Sequence, residues 1–524
     1  MRMIRRGAMP LLIGIDIGTQ GTKAVMVNLE GEVISSGFAE YGLLHPHPLW
    51  AEQWPDVWFE AACKTIQETL MKANINPNEI AGISVSGLYG GSGIPVDKEM
   101  KPVRPCLIWM DRRAMDEVEW IKNNADMDKL FQVTGNYVDT YYGFPKILWI
   151  KNKEPEKWKK IHKFVPPNCY IIYRLTGELA IDYSSAGNLA GIFDIHQRKW
   201  SEELSTSLGI PIEMMPKRVV DSKEIVGVIT KEGARATGLK EGTPVIAGGI
   251  DASMETLGVG AFEEGDHVAM MGTSTCWGIV HNGKNLSKSL VSMPHVAYPK
   301  EKVYSWAGSA TSGALIRWFR DEFGEAEMES GKRLDLDPLM LLDIKASKVP
   351  PGSEGLVVLP YFMGERAPIW DSRARGLILG LTLYHTKEHI FKAFLEGVAY
   401  ALRHSIETGE KAGVPLKEAC IVTGGVTKSS LWLQILADVT GRPMITMAEG
   451  GAPLGNALLA GMGTGLIDNY EVIKRWVRYK ESIEPDKENR RIYEEYYLRY
   501  KNIYDKIKED MHALSKLSEG GRNA

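Results

Sequence analysis

LLIGIDIGTQGTKAVMV, residues 11–27, sets an apolar run, a Gly-Thr turn and a second apolar run in a row, with one acid, Asp16, inside the first run. Two apolar runs around so short a turn read as a β-hairpin with a carboxylate at its mouth. VAMMGTSTCWGIV, residues 268–280, repeats the plan with Gly272, Thr273 and Ser274 at the turn and no acid. One polar hairpin turn is ordinary. Its recurrence, with an acid where a strand favours an apolar side chain, points to two halves facing one phosphate-bearing ligand. Gly18 and Gly21 permit positive φ and a close approach of backbone N–H groups to a phosphate, while Thr19 and Thr22 add hydroxyl donors. Asp16 is repelled by phosphate, so its expected task is to hold Mg²⁺, directly or through water.

The remaining bounds follow from length and composition. A chain of 524 residues exceeds what one hydrophobic core normally serves, so two domains are expected. Lys plus Arg at 62 against Asp plus Glu at 66 leaves a formal charge of -4, which offers no general attraction to nucleic acid or to an anionic membrane. Neither is expected as a partner. Cys63, Cys106, Cys169, Cys276 and Cys420 are odd in number and widely spaced, which argues against a disulfide framework and a zinc site and for a reducing, cytoplasmic setting. MRMIRRGAMP begins basic, but the apolar stretch after it is cut by Asp16 and has strand texture, so it reads poorly as a signal peptide. No apolar run is long enough to span a bilayer.

Along the chain, helical and strand patterns alternate. Residues 56–73 have helical spacing and 80–87 read as a strand; 145–176 look mainly helical, and 177–220 are rich in turns. The strand PVIAGG runs into Asp251 and a helix of small residues. The second half offers the hairpin, a helix at 311–323, a strand at 355–360, a long helix from about 386 to 412, and a strand at 419–425 running into another helix. The expected domains are therefore 10–247 and 248–466, with 467–524 a helical segment packed on the body. Tyr493, Tyr496, Tyr497, Tyr500 and Tyr504 recur at helical spacing, as a terminal helix laying an apolar stripe on that body requires, and SEGGRNA at the end should fray.

Several constellations carry chemistry. Asp251 follows Gly248 and Gly249, which permit close approach of a ligand, and stands where a helix offers unpaired N–H groups. An N-cap role alone would also place an Asp there. TGGVTKSSLWLQ, residues 423–434, puts Gly424 and Gly425 between a strand and a helix, where a flat ring or ribose can lie on the backbone and Ser429 or Ser430 can bond a nucleotide. SATSGALIRWF, residues 309–319, offers similar chemistry at another helix start, with Gly313 as the contact or, equally, as a packing glycine. LIWMDRRA and YVDTYYGFPKILWI supply Trp109, Asp111, Arg112, Arg113, Asp139, Tyr141, Tyr142 and Lys146. Aromatic faces with carboxylates and guanidinium groups suit a polyhydroxylated substrate, although core aromatics with surface charges give similar strings.

Taken in order, IGIDIGTQGTK, HPHPLWAEQWP, LIWMDRRA, VIAGGIDA, MMGTST and GLILGLTLYHTKEHIFKAFLEG make the chain resemble the FGGY family of carbohydrate kinases over nearly its whole length. In the last string Gly376, Gly380, Leu381, His389 and Glu396 match the family signature, while Phe394 stands where a smaller side chain is usual. The resemblance implies an α/β fold of two actin-like (ribonuclease H-like) ATPase domains with a cleft between them. It implies an ATP-dependent transfer of the γ-phosphoryl to a primary hydroxyl of a sugar, ketose or polyol, and makes a homodimer plausible. It places Asp251 on the catalytic base, Asp16 and Thr19 at the metal and phosphate site, and Gly272, Thr273, Gly313, Gly424, Gly425 and Ser429 on the nucleotide side. Arg317, one turn beyond Gly313, is a further nucleotide candidate, and Trp109 and Tyr141 match acceptor-site positions of the glycerol kinase branch.

The string Gly87, Leu88, Tyr89, Gly90, Gly91, Ser92, Gly93 departs from the family. It holds neither the Gln-Met-His-Gly usual in xylulokinases nor the Arg-Glu pair of glycerol kinases. Small residues beside Tyr89 and Gly90 suggest a roomier or differently oriented acceptor pocket. HPHPLWAEQWP leans to the xylulokinase side, so a pentulose such as xylulose or ribulose is the first expectation and glycerol, erythritol or another polyol the second. A non-catalytic ATP- or sugar-sensing protein is the alternative of another class.

Overall fold

The computed structural model describes residues 10–189 and 191–520; the basic start before Pro10 lies outside the described residues. Leu11–Ile17 and Gly21–Val27 form the expected antiparallel hairpin, with Asp16 opposite Lys23. The first strand is buried along nearly its whole length, which is why it reads as a continuous apolar run and why Asp16 stands out in it. Ile80–Gly87 pairs with it in parallel and brings Ser86 beside Asp16. The sheet runs in the order Ile225–Val228, Pro244–Ile250, Ile80–Gly87, Leu11–Ile17, Gly21–Val27, Val33–Glu40. Helix Ala452–Gly463 lies tight on this sheet: a Cβ on Gly14 would fall 1.8 Å from the Pro453 carbonyl oxygen.

The chain forms two compact units. The first takes the residues up to Glu264 with Val280–Ser305 and Ala448–Arg478; the second takes Gly265–Ile279, Trp306–Met447 and the chain from Tyr479 onward. Strand Pro244–Ile250 and helix Asp251–Gly258 belong to the first unit. In the second, His267–Met271, the first strand of the hairpin closed by Thr275 onward, pairs in parallel with Cys420–Gly424, which pairs in turn with Met444–Ile445. The repeat seen in two turns is therefore a repeat of sheet plan. In each unit the first hairpin strand takes a parallel neighbour on its other edge, Ser86 beside Asp16 in one and Gly424 beside Met271 in the other.

Elsewhere the structure refines the expected elements. The stretch 145–176 is divided into helices Gly143–Lys153, Pro155–Trp158 and Pro167–Thr176 with strand Lys163–Val165 between them; prolines at 155 and 167 set helix starts there. Val33–Glu40 and Ala452–Gly463 are additional elements. The latter is buried almost throughout and built of small and apolar residues, so it carries no amphipathic period to read. Helix Lys487–Gly520 buries Tyr493, Tyr497 and Tyr500 against Tyr361 and Tyr400, and so packs the aromatic stripe as expected. It runs through Gly520, into the tail expected to fray, and residues 521–524 lie outside the described residues. None of the five cysteines forms a disulfide, and among the described residues no helix is long and apolar enough to cross a membrane.

Candidate active site

On the first unit, three carboxylates share one electrostatic neighbourhood. Asp16 sits at the end of its strand, Asp251 opens its helix after Ile250, and Glu255 lies one turn further on the same helix. Burial first, then repulsion from Glu255, pushes the Asp16 carboxyl up to about 6 against the pull of the Ser86 hydroxyl and Lys23. Burial and the Asp16 charge hold Asp251 well above the usual carboxylate range, although its Oδ1 accepts the Ala252 N–H over 2.6 Å. Ser86 donates its hydroxyl to Asp16 Oδ1 at 2.6 Å, and Glu255 Oε2 accepts the Ala452 N–H at 2.7 Å.

The hairpin turn beside them is closed by Gly18 N–H bonding to the Gly21 carbonyl at 2.9 Å. Neither glycine adopts positive φ, contrary to the sequence expectation. Gly21 is required for room instead: a Cβ there would meet the Phe38 ring at 2.6 Å. Thr22 and Gly18 are held through Tyr41, whose hydroxyl donates to the Gly18 carbonyl at 2.7 Å. Thr19 is tied to the sugar-side candidates, since the Trp109 indole N–H reaches its hydroxyl over 3.0 Å and Gln53 donates to its carbonyl, also at 3.0 Å. The glycine pair before Asp251 is also closely packed. A Cβ on Gly248 would fall 2.0 Å from the Val85 carbonyl, and one on Gly249 would fall 2.6 Å from Val296.

The remaining acceptor candidates of the first unit separate into two groups. Tyr89 and Tyr141 face each other with ring centroids 4.9 Å apart, and Tyr89, Gly90 and Ile250 are among the walls of one cavity of about 10 Å³. Gly90 backs onto Pro167, Gly91 onto the Leu107 carbonyl and Gly93 onto Leu189, so a Cβ on any of the three would be crowded. Asp111 and Arg113 are committed to the interior: Arg113 binds Asp111 at 2.7 Å and Glu52 at 2.8 Å and lies over the Trp50 ring, 3.6 Å from its centroid. Arg112 pairs with Asp139 at 2.8 Å, whose Oδ1 also accepts the Tyr141 N–H. Lys146, fully buried, donates to the carbonyls of Thr140 and Tyr141 at 2.7 and 2.6 Å, and burial drives its ammonium down to about 7.

On the second unit Gly272, Thr273, Gly313 and Arg317 meet at one turn. Gly313 N–H bonds the Gly272 carbonyl at 2.9 Å, the N–H groups of Ser312 and Ala314 bond that of Thr273, and Arg317 donates to the Thr273 hydroxyl at 3.1 Å. Gly272 and Gly425 face open space, where a Cβ would meet nothing within 4 Å. Gly313 and Gly424 are more closely packed; a Cβ would fall 2.5 Å from the Gly272 carbonyl at the first and 2.3 Å from the Met271 carbonyl at the second, where φ is +92°. Ser429 caps helix Ser430–Thr440, its Oγ accepting the Trp432 N–H at 3.0 Å. Glu365 braces this side by accepting the Ser309 hydroxyl at 2.8 Å and the Ala310 N–H at 2.7 Å.

The family models for the FGGY carbohydrate kinases match this chain twice, the N-terminal domain over residues 11–258 and the C-terminal domain over 267–464. The chain belongs to the FGGY family of carbohydrate kinases. It is a sugar kinase of that family, with the two actin-like α/β domains and the use of ATP that membership entails. A xylulose kinase of Staphylococcus xylosus is 31% identical over 500 residues, covering 95% of this chain and 100% of the relative. A gluconokinase of Bacillus subtilis (strain 168) is 31% identical over 475 residues, 88% of this chain and 89% of its own. The ligand-bound crystal structure of xylulose kinase from Lactobacillus acidophilus superposes with a TM-score of 0.87 at 27% identity, covering 95% of this chain and 99% of that one.

Within this FGGY chain, the signature residue Glu396 is buried. Its oxygens accept the Gly352 N–H, the Ser353 hydroxyl and the Tyr493 hydroxyl, so it anchors the terminal helix. Sequence reading missed Glu255, Ser86 and Asn456. Glu255 was signalled by its spacing of four from Asp251 on a helix. Asn456 is the one polar side chain in APLGNALLAGMG, as Asp16 is in its strand, and that parallel was the available signal.

Proposed function

We propose that this FGGY kinase transfers the γ-phosphoryl of ATP to a primary hydroxyl of a pentulose, with Asp251 as the base that accepts the hydroxyl proton. The observation that carries the reading is the environment of Asp251: a carboxyl raised by burial and by Asp16 is a stronger proton acceptor than an exposed one. Asp16 is assigned the metal side. Among the described residues no three His, Cys, Asp or Glu side chains form a cage, which suits Mg²⁺, a cation that keeps several waters and takes one or two carboxylates plus substrate phosphates. Repulsion among Asp16, Asp251 and Glu255 makes this a net negative place that a divalent cation held on Asp16 relieves. When bound, Mg²⁺ supplies charge neutralisation on the phosphate oxygens.

The chain's own residues position the partners. Thr19, with its hydroxyl fixed by Trp109, is assigned to the phosphate side, and Tyr89, Gly90, Trp109 and Tyr141 to the acceptor. Gly272, Thr273, Gly313, Arg317, Gly424, Gly425 and Ser429 are assigned to the nucleotide, with Gly272 and Gly425 as the residues whose backbone has room for it. Five cysteines outside any disulfide support a reducing, cytoplasmic setting.

The relatives include kinases named for xylulose and for gluconate, and charge separates the two acceptors. A gluconate carboxylate calls for a cation in the acceptor site. On the first unit Arg104, Arg112 and Arg113 are spent on Glu52, Glu154, Asp139 and Asp111, and Lys146 on backbone carbonyls, which favours an uncharged ketose. A coupled ADP-release assay over xylulose, ribulose, gluconate, glycerol and erythritol tests this. The highest kcat/KM is expected with a pentulose; a tenfold preference for gluconate or a polyol overturns the acceptor assignment.

A further inference from the structure

Asn456 lies far from Asp16 in sequence and is wholly buried beside it. Its Nδ2 donates to the Ser86 hydroxyl oxygen at 2.6 Å and to the Ile15 carbonyl at 2.9 Å. Its Oδ1 accepts the Ser84 hydroxyl at 3.0 Å. An amide nitrogen only donates, so the bond from Asn456 occupies Ser86 Oγ as an acceptor and directs the Ser86 proton away from the amide, to Asp16 Oδ1 at 2.6 Å. The order Ser84 to Asn456 to Ser86 to Asp16 thus has one fixed donor direction, and the three side chains before Asp16 are buried, which shields their bonds from solvent competition.

The same helix fixes a second carboxylate. Its first residue, Ala452, gives its N–H to Glu255 Oε2. Its backbone is pressed against both carboxylate-bearing elements through glycines: Gly14 under Pro453, and Gly258 under the Gly451 carbonyl, where a Cβ would fall at 1.9 Å. One helix therefore contacts the surroundings of both Asp16 and Glu255. An alanine at 456 would supply none of these bonds, and a leucine would supply bulk without a donor.

We propose that Asn456 is a positioning residue for the cation site, acting through Ser86 to hold Asp16 Oδ1 and leave the rest of the carboxylate presented to a divalent ion. The inference rests on the reading of Asp16 as the metal-side carboxylate. Partners that orient a metal-ligating group typically change metal affinity or activity by about 10–100-fold when removed. Asn456→Ala and Ser86→Ala are measured beside wild type and Asp16→Asn in the full chain, with Mn²⁺ binding followed by EPR in the presence of ATP and the Mg²⁺ activation curve followed by ADP release.

The expected result is a rise of about 10-fold or more in the Mn²⁺ dissociation constant for both relay variants, with an unchanged circular dichroism spectrum and a matching shift of the Mg²⁺ curve. Ser86→Ala removes one small hydroxyl and decides the matter if Asn456→Ala fails to fold. Mn²⁺ affinity within twofold of wild type in Ser86→Ala, while Asp16→Asn is weakened, overturns the relay. Unchanged Mn²⁺ affinity in Asp16→Asn overturns the metal reading beneath it.

Discussion

The Trp109 indole N–H donates to the Thr19 hydroxyl over 3.0 Å. The bond joins a residue assigned to the sugar to one assigned to the phosphate, and it fixes both with a single neutral hydrogen bond. On those assignments the bond would link acceptor orientation to phosphate placement before any substrate arrives, which is how an enzyme reduces the ordering cost of a two-substrate reaction.

Trp109→Phe keeps a ring and removes that donor. A neutral hydrogen bond contributes about 0.5–1.5 kcal/mol, so kcat/KM for the sugar is expected to fall roughly 2- to 12-fold with the fold intact. Steady-state kinetics with the preferred ketose check this; an unchanged kcat/KM removes the link.

Arg317 donates to the Thr273 hydroxyl from an exposed position at the neutral turn. Arg317→Met should raise the KM for ATP by about 3- to 10-fold, solvent screening keeping the effect modest, and leave the KM for the sugar alone. An effect confined to the sugar KM contradicts the nucleotide assignment.

Asp16 carries a pH signature. Its carboxyl titrates near 6 in the folded chain against an ordinary value of 3.8. Between those values the folded state binds a proton that the unfolded state has released, so stability from this group is complete below pH 4 and is lost as pH rises through about 6. Asp16→Asn is therefore expected to be more stable than wild type at pH 8 without divalent ions or nucleotide, and inactive, with the stability gap closing at pH 4. Thermal unfolding at the two pH values decides; equal gaps at both contradict the charge account.

Gly14→Ala tests the helix that orders the carboxylates. With its Cβ directed to within 1.8 Å of the Pro453 carbonyl, the substitution must move the strand or helix Ala452–Gly463, and a loss of about 1–3 kcal/mol or more in urea unfolding is expected. Unchanged stability contradicts the packing described for this helix.

The hairpins at 11–27 and 268–280 were legible because turn chemistry and apolar runs are local signals. Asp16 and Asp251 were legible for the same reason, each being an acid where a strand or its end is otherwise apolar. The helix carrying Asn456 was not. It is buried on nearly all sides, and its closeness to Asp16 is created by packing across more than four hundred residues of chain, which no local pattern encodes. Glycines are ambiguous for a related reason: Gly21, Gly90 and Gly249 read as room for a ligand, and a Cβ on each would also meet Phe38, Pro167 and Val296 in turn. A glycine in sequence announces that a Cβ is unwelcome and not what excludes it. The charged residues of LIWMDRRA were similarly ambiguous, because an Arg113 that binds sugar and one that stacks on Trp50 look alike in a string.

The base assignment is tested most directly by Asp251→Asn, with sugar-dependent ADP release measured at saturating ATP, Mg²⁺ and ketose. A positioned base contributes typically about 10²–10⁴-fold, so kcat is expected to fall by at least two orders of magnitude while ATP binding, measured separately, stays within a few-fold of wild type. A variant that retains sugar-dependent ADP release within tenfold of wild type contradicts the role of Asp251 as the proton acceptor.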